Sequence, residues 1–279
     1  MMQPFVKWAG GKRQLLVDIN KRLPKKFNTY YEPFIGGGAL LFDNHPSKAI
    51  IGDTNKVLIS VYKQIAKDVI SLTTILDSLE KNHKNAEDQK AFYYQKREEY
   101  NDNILQQDYS IYTTALFLYL NKTCFNGLYR VNSKGLFNVP FNNKKNLTIY
   151  NKENLDEIAS YLKQSDIEIL NADFEETCAT AKKGDFVFFD SPYAPLKADS
   201  FEAYTKEGFA IEEHQRLARL YQQLSDKGVY CMLTNHNTDL INELYQNFNI
   251  DVVQVKRLIN RDADKRVGEE VIITNYKTE

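Results

Sequence analysis

Asp185-Phe186-Val187-Phe188-Phe189-Asp190-Ser191-Pro192-Tyr193 is the stretch on which the reading of this chain turns. A run of β-formers, bounded by Gly184 and by Ser191-Pro192, marks a short buried strand. It ends in a carboxylate, a proline-stiffened turn and an aromatic ring. In an open α/β sheet, ligands bind outside the carboxyl ends of the strands, so a strand with this ending suits an active site. Asp190 and the Ser191 carbonyl are hydrogen-bond acceptors, and Tyr193 offers a flat stacking face. Together they suit a planar ring that bears an amino group. Taken alone, the same residues also describe a strand that runs into an ordinary turn, with Asp190 as a turn or cap residue.

The segments around this strand decide between the two. Tyr30-Tyr31-Glu32-Pro33-Phe34-Ile35-Gly36-Gly37-Gly38-Ala39-Leu40 has the order strand, glycine turn, helix, which opens a nucleotide-type βαβ unit. Ala49-Ile50-Ile51-Gly52-Asp53 is a second strand ending in an acid, at about the 20-residue spacing that lets a carboxylate meet ribose hydroxyls. The GxGxxG and GxxxxGK[ST] phosphate patterns are absent, so an adenosine ligand without a pyrophosphate fits, such as S-adenosylmethionine. Ile167–Phe174 ends in Asp173-Phe174, a pair suited to an adenine edge and face; the alternative is an Asp that caps the next short helix. Near the start, Lys7-Trp8-Ala9-Gly10-Gly11-Lys12-Arg13 runs into an amphipathic helix expected over residues 11–23.

Between these α/β parts the texture changes. Residues 55–106 and 109–121 are helical in pattern, and glycine is absent from 53–126. Asn121–Phe141 follows, with turn signals at Asn126-Gly127 and Ser133-Lys134-Gly135. Leu128–Val131 and Phe137–Val139 are expected to pair as a hairpin. The loop joins amides, Arg130 and aromatics without an acid, which are the tools of duplex readout: Arg to guanine, amides to bases, apolar wedges in the stack. A long surface hairpin with no partner is the competing reading. After the strand at 185–190 come a polar stretch at 194–209 expected to act as a flexible lid, helices at 211–227 and 239–247, a strand at 230–235, and two β runs at 250–258 and 270–276 around a charged loop. Alternating β and α units with a final hairpin predict a mainly parallel sheet with an antiparallel end.

Composition sets the bounds. The 279 residues carry a formal net charge of -1, yet the charge is unevenly placed. Residues 1–31 hold seven basic side chains against Asp18 alone, and 121–150 hold five with no acid, the footprint of a polyanion partner or of solvated surface. Cys124, Cys178 and Cys231 are widely spaced and lack metal-ligand spacing with any His, so reduced thiols and no structural metal are expected. No apolar run reaches the ~18 residues of a membrane span, and a soluble intracellular protein is expected.

The motif set resembles Dam-type DNA adenine-N6 methyltransferases of the α group, both stand-alone enzymes and methylases of restriction systems that recognise GATC. The resemblance rests on Lys-Trp-Ala-Gly-Gly-Lys at 7–12, Glu-Pro-Phe-Ile-Gly-Gly-Gly-Ala at 32–39, Asn-Gly-Leu-Tyr-Arg at 126–130, Phe-Asn-Val-Pro-Phe at 137–141 and Asp-Ser-Pro-Tyr at 190–193, and it covers essentially the whole chain. It implies a Rossmann-like catalytic domain from residues 1–55 and 150–279. A helical target-recognition domain would span 56–149, with its hairpin at 123–141. The cofactor would be S-adenosyl-L-methionine and the product S-adenosylhomocysteine, with no metal. The partner would be double-stranded DNA in the cytoplasm, at the nucleoid, with a restriction endonuclease possible alongside but without direct contact.

By the same resemblance, Trp8, Lys12, Glu32, Phe34, the Gly36–Gly38 backbone, Asp53, Asp173, Phe174 and Asp190 would hold the cofactor. Lys7 would reach the outer guanine. Phe125 and Asn126 would probe the stack the adenine leaves. Leu128, Arg130, Asn132, Lys134 and Pro140 would meet the rest of the DNA. Asp190, Ser191, Pro192 and Tyr193 would form the adenine pocket. One position departs: the family carries Asp-Pro-Pro-Tyr, and Ser191 stands at the second place. A carbonyl survives, but proline's rigid φ is lost, and a hydroxyl is added that can compete for Asp190. An impaired relative that still binds cofactor and DNA is the alternative to an active enzyme.

Overall fold

The computed structural model describes residues 2–8, 10, 12, 14–143, 148–196, 209–256 and 267–278. Most of the expected lid and most of the charged loop after residue 256 fall outside them, as do Arg13, Lys144 and Lys145. The chain forms two compact units. One comprises Met1–Gly11, Gly36–His45 and Asn55–Asn171; the other comprises Lys12–Ile35, Pro46–Thr54 and Ala172–Glu279.

The second unit is a mixed α/β sheet. Strands β1 (Tyr30–Glu32), β2 (Lys48–Gly52), β4 (Phe186–Phe189), β5 (Tyr230–His236), β6 (Asn249–Lys256) and β7 (Val267–Thr274) hydrogen-bond in the order β2-β1-β4-β5-β7-β6. The first four run parallel, and β7 pairs antiparallel with both β5 and β6. The expected parallel sheet with an antiparallel C-terminal hairpin is therefore present. β4 reads Phe-Val-Phe-Phe because all four side chains are buried, as a central parallel strand requires. Helix Ile211–Asp226 covers one face with His214, Leu217, Tyr221 and Leu224, at the three- and four-residue spacing of an amphipathic helix. Its Tyr221 hydroxyl donates to the carbonyls of Cys231 and Ile273, at 2.9 and 3.2 Å, which ties the helix to two strands.

This order places a topological switch at β1. The chain goes from β1 to β2 on one side, and later returns through β4 on the other. Crevices open outside the carboxyl ends of strands at such a point. Glu32 ends β1, Asp53 follows β2, and Asp190 follows β4, so three acids named from the sequence share one end of the sheet.

The first unit is mainly helical. α3 (Lys56–Asn85), α4 (Gln89–Leu105) and α5 (Ile111–Thr123) begin at Asn55, Asp88 and Ser110, whose side chains accept from backbone N–H groups of the first turn. α5 is buried from Thr113 to Asn121 and is the unit's central helix. α3 is two helices joined at Asp68, which leaves helical geometry and caps the second through Ser71 N at 3.0 Å. That break explains why Ile70, expected on the apolar face, is exposed. Strand β3 (Asp166–Leu170) and helix α6 (Lys152–Gln164) complete the unit.

Two expectations change in detail. The N-terminal helix is one short segment, Leu16–Asn20, where residues 11–23 were expected. The 123–141 loop forms no regular ladder. It has isolated bridges at Cys124–Phe141 and Val131–Phe137, after a 3-10 turn at Phe125–Gly127 with Asn126 at φ 55°.

Candidate functional site

At the end of β4, Asp190 is held from two sides. Lys12 Nζ lies 2.7 Å from its Oδ1, and the Thr234 hydroxyl donates to the same oxygen at 2.9 Å. Lys12 is buried, and the Asp190 side chain retains 18% of its exposure. Burial pushes the Asp190 carboxyl up from its ordinary value, while Lys12 and Thr234 pull against it. A carboxylate held between these pulls and left partly exposed is an acceptor available to a ligand.

Tyr193 is oriented just as firmly. Its hydroxyl donates to Glu270 Oε2 at 2.8 Å, Lys12 Nζ stands 4.3 Å from its ring centroid, and His236 meets it edge to face at 4.8 Å. Burial raises the phenol well above its usual range, so it stays protonated.

Ser191 is buried, and its Oγ accepts from Asn235 Nδ2 at 3.4 Å. Asn235 Oδ1 in turn accepts the backbone N–H groups of Ala194 at 2.8 Å and His236 at 2.9 Å. His236 Nδ1 lies 2.7 Å from the Ala194 carbonyl. The turn that lacks one proline is thus pinned by a buried carboxamide on the neighbouring strand. Thr234 and Asn235 were missed from sequence. Their signal was a polar pair closing the apolar run Cys231-Met232-Leu233 beside the key strand.

The same unit holds the other acids and aromatics. Glu32 is buried and accepts the Tyr30 hydroxyl at 2.7 Å. Asp53 is half-buried. Phe34 stacks on Phe174 at 5.5 Å, and Phe209 joins both. Asp173 caps the short helix Phe174–Thr177 through Glu175 N at 2.9 Å, so the capping alternative is realised. It also pairs with Arg216, whose guanidinium lies 4.1 Å from the Phe174 ring centroid. Arg216 was not singled out from sequence. It meets both the carboxylate and the ring expected to take an adenine.

In the first unit, Trp8 is half-buried and stacks on Tyr129 at 5.1 Å, with an interplanar angle of 24°. Gly36, at φ 47°, packs beneath it: a Cβ there would lie 2.9 Å from Trp8 Cδ1. Gly37 and Gly38 continue this turn, and the Tyr62 hydroxyl donates to the Gly36 carbonyl at 3.0 Å. The glycines therefore make room for the protein's own rings.

The loop from 125 to 140 displays its side chains. Phe125 is 51% exposed and Leu128 44%; Asn126, Arg130, Asn132, Lys134 and Pro140 are exposed as well, as is Lys7. Arg130 donates through Nε to Asn138 Oδ1 at 2.7 Å, and Asn132 Oδ1 accepts from Lys134 N and Leu136 N at 2.9 and 3.1 Å. The loop keeps its shape with Asx turns and leaves apolar and basic groups outward. Among the described residues, no group of acidic, Cys and His side chains is arranged to hold a metal, and no helix is long and apolar enough to cross a membrane. The three cysteines are free and buried.

Comparison with known proteins places this geometry. A family model for D12 class N6 adenine-specific DNA methyltransferases matches residues 8–259. The Type II methyltransferase M1.LlaDCHI of Lactococcus lactis subsp. cremoris is 42% identical over 99% of this chain and 96% of its own. The Type II methyltransferase M.MjaIII of Methanocaldococcus jannaschii is 42% identical over 99% of both chains. The DNA adenine methylase of Escherichia coli K12 is 34% identical over 98% of this chain and 95% of its own. With a carboxylate held at the end of β4 and a match that spans nearly the whole sequence, the chain belongs to the D12 class of N6 adenine-specific DNA methyltransferases.

Proposed function

We propose that the protein transfers a methyl group from S-adenosyl-L-methionine to N6 of adenine in GATC sites of double-stranded DNA, with the target base turned out of the helix. The observation that carries this reading is Asp190, set at the end of β4 by Lys12 and Thr234 with part of its side chain left exposed. Adenine N6 in a stacked pair faces its partner base, so a donor reaches it only when the base leaves the stack.

The second unit's residues fit an adenosine. Asp53 at the end of β2 suits ribose hydroxyls, and the Phe34, Phe174 and Phe209 rings with Asp173 suit an adenine face and amino edge. Arg216 meets the same ring and carboxylate, so an adenine would share Asp173 with it. Glu32, Trp8, Lys12 and the Gly36–Gly38 backbone take the cofactor roles that the family resemblance gives them. The bound cofactor supplies an electrophilic methyl on a sulfonium.

The chain's own groups do the rest. The Asp190 carboxylate and the Ser191 carbonyl accept the two N6 hydrogens, which favours a tetrahedral nitrogen with its lone pair free of the ring. The same acceptors stabilise the positive charge that builds on N6. Tyr193, locked by Glu270, stacks on the extruded ring, and Pro192 stiffens the turn between them. No covalent enzyme intermediate is needed. Phe125 and Asn126 fill the gap in the stack; Leu128, Arg130 and Pro140 read bases, and Asn132, Lys134 and Lys7 complete the contact with DNA. Residues 56–149 act as the target-recognition part, and residues 1–55 with 150–279 as the catalytic part. The two relatives named type II methyltransferases support a restriction-modification setting, with an endonuclease encoded alongside that it need not touch. The enzyme works where the DNA is, in the cytoplasm at the nucleoid.

Transfer of labelled methyl to a GATC duplex, compared with a scrambled duplex, tests this. Transfer to the GATC duplex alone is expected. Equal labelling of both rejects the site assignment. Tight binding of cofactor and duplex without transfer makes the protein an impaired relative.

A further inference from the structure

We propose that Asn121 and Tyr129 are positioning residues that lock the Lys7-Trp8 segment to the 125–140 loop, so that the two read DNA as one surface. The inference rests on the proposed function and deepens it. Asn121 lies near the end of α5 and is buried. Its Oδ1 accepts the Lys7 N–H at 2.9 Å, and its Nδ2 donates to the Lys7 carbonyl at 2.9 Å and to the Gly127 carbonyl at 3.3 Å. One carboxamide thus brackets the Lys7 backbone from both sides and ties it to the Phe125–Gly127 turn. A buried amide that satisfies its donors and its acceptor this way admits one geometry.

The packing repeats the constraint. Gly127 has φ 66°, and a Cβ there would sit 2.2 Å from Lys7 Cδ, so the lysine stem crosses the turn where only glycine leaves space. The next residue, Trp8, stacks on Tyr129, and Tyr129 meets Phe117 of α5 at 5.7 Å and Phe137 at 6.2 Å. A lysine on a free N-terminal arm would add charge without sequence preference. Held by Asn121, Gly127 and the Trp8–Tyr129 stack, Lys7 keeps one register relative to Phe125, Leu128 and Arg130, and its ammonium discriminates a base.

Trp8 is the chain's single tryptophan, so its fluorescence reports this junction directly. The full-length protein and its variants Tyr129→Phe, Tyr129→Leu, Asn121→Asp, Lys7→Ala and Lys7→Ala/Tyr129→Leu are titrated with a GATC duplex and with one whose outer guanine is replaced. Thermal unfolding checks that each is folded. Wild type and Tyr129→Phe should prefer the intact site. Tyr129→Leu and Asn121→Asp should lose about 2- to 10-fold of that preference, the scale of one aromatic pair, with binding to an unrelated duplex unchanged. The double variant should lose no more than Lys7→Ala alone, because Tyr129 acts through Lys7. If Asn121→Asp unfolds, the Tyr129 variants carry the test. Full preference in Tyr129→Leu despite a shifted Trp8 emission, or losses that add in the double variant, overturns the proposal. A wild type that ignores the outer guanine overturns the GATC reading itself, and the inference with it.

Discussion

The end of β4 and the loop from 125 to 140 are both turns that carry Ser, Pro and Tyr, yet their polar side chains are held by different rules. At β4, each polar group is satisfied by a side chain from elsewhere in its unit: Lys12 and Thr234 for Asp190, Glu270 for Tyr193, Asn235 for Ser191. In the loop, the exposed side chains are satisfied by near neighbours, Asn138 for Arg130 and the Lys134 and Leu136 N–H groups for Asn132, while Asn101, Tyr93 and Asn121 of the helices hold its backbone at Phe137, Val139 and Gly127. The polar side chains of the first are buried or half-buried, and those of the second are mostly exposed. A buried, charge-assisted cluster holds its geometry before substrate arrives, which is what stabilisation of a transition state needs. An exposed loop of local turns can lose a side chain at little cost to the fold. Substitutions at β4 should therefore change rate, and stability with it, whereas substitutions of the loop's exposed side chains should change only recognition.

The largest effect expected is from Asp190→Ala, which removes the acceptor together with its charge. Loss of one transition-state acceptor costs about 10²–10³ in kcat. Single-turnover methylation measures it. An unchanged rate would remove Asp190 from the chemistry and break the contrast at its stronger end.

Arg130→Ala is the counterpart in the loop. It should cost ~1–3 kcal/mol of discrimination at one base pair, with no change in the unfolding midpoint, because Arg130 is exposed. Competition between GATC and singly substituted duplexes reads the first; differential scanning calorimetry reads the second. A lowered midpoint would show that the loop is structural after all.

The pH profile sharpens the comparison further. In the proposed mechanism Asp190 offsets the charge growing on N6 only when ionised, and burial raises its pKa. The acid limb of kcat should therefore lie above the ordinary carboxylate range, with the rate falling as pH drops through it. Lys12 opposes the rise, so Lys12→Gln should move the limb to higher pH at saturating cofactor. A limb that moves down, or stays, contradicts the ion pair's role. Arg130→Ala should leave the limb in place.

How much of this was legible follows from what local sequence can encode. β4, β5 and the C-terminal hairpin showed as apolar runs between turn residues, because a buried parallel strand needs apolar side chains on both faces. The three acids at strand ends showed because the fold's ligand crevice lies there. The partners of Asp190 did not show. Lys12 and Thr234 lie far from it in sequence, and only the sheet order brings them to one point. Arg216 read as an ordinary polar residue of an amphipathic helix until the fold set it against Phe174. The loop's turns were legible, and so in part was its pairing: Val131 and Phe137 of the two expected runs bridge antiparallel, though no ladder follows. Asn126 and Gly127 both adopt positive φ, as their turn signal implied, and beyond the single bridge the exposed side chains are carried by turns where strands were expected.

The smallest effect expected is the one the sequence made most prominent. By the resemblance Ser191 stands where the family usually has proline, and a loose pocket with a competing hydroxyl was the expected consequence. Its Oγ meets Asn235 at 3.4 Å, the long end of a hydrogen bond, and Asn235 makes its two shorter bonds to Ala194 and His236. The carboxamide, not the serine hydroxyl, holds the turn. Ser191→Ala should therefore cost less than ~1 kcal/mol in stability and in the barrier to transfer, within the range of one neutral hydrogen bond. Asn235→Ala should cost more than Ser191→Ala in both, since it strips two backbone N–H groups, that of Ala194 buried and that of His236 half-buried, of their acceptor. Parallel methylation rates and unfolding midpoints for the two variants decide it. If Ser191→Ala proves the costlier, the hydroxyl and not Asn235 is what stands in for the missing proline ring.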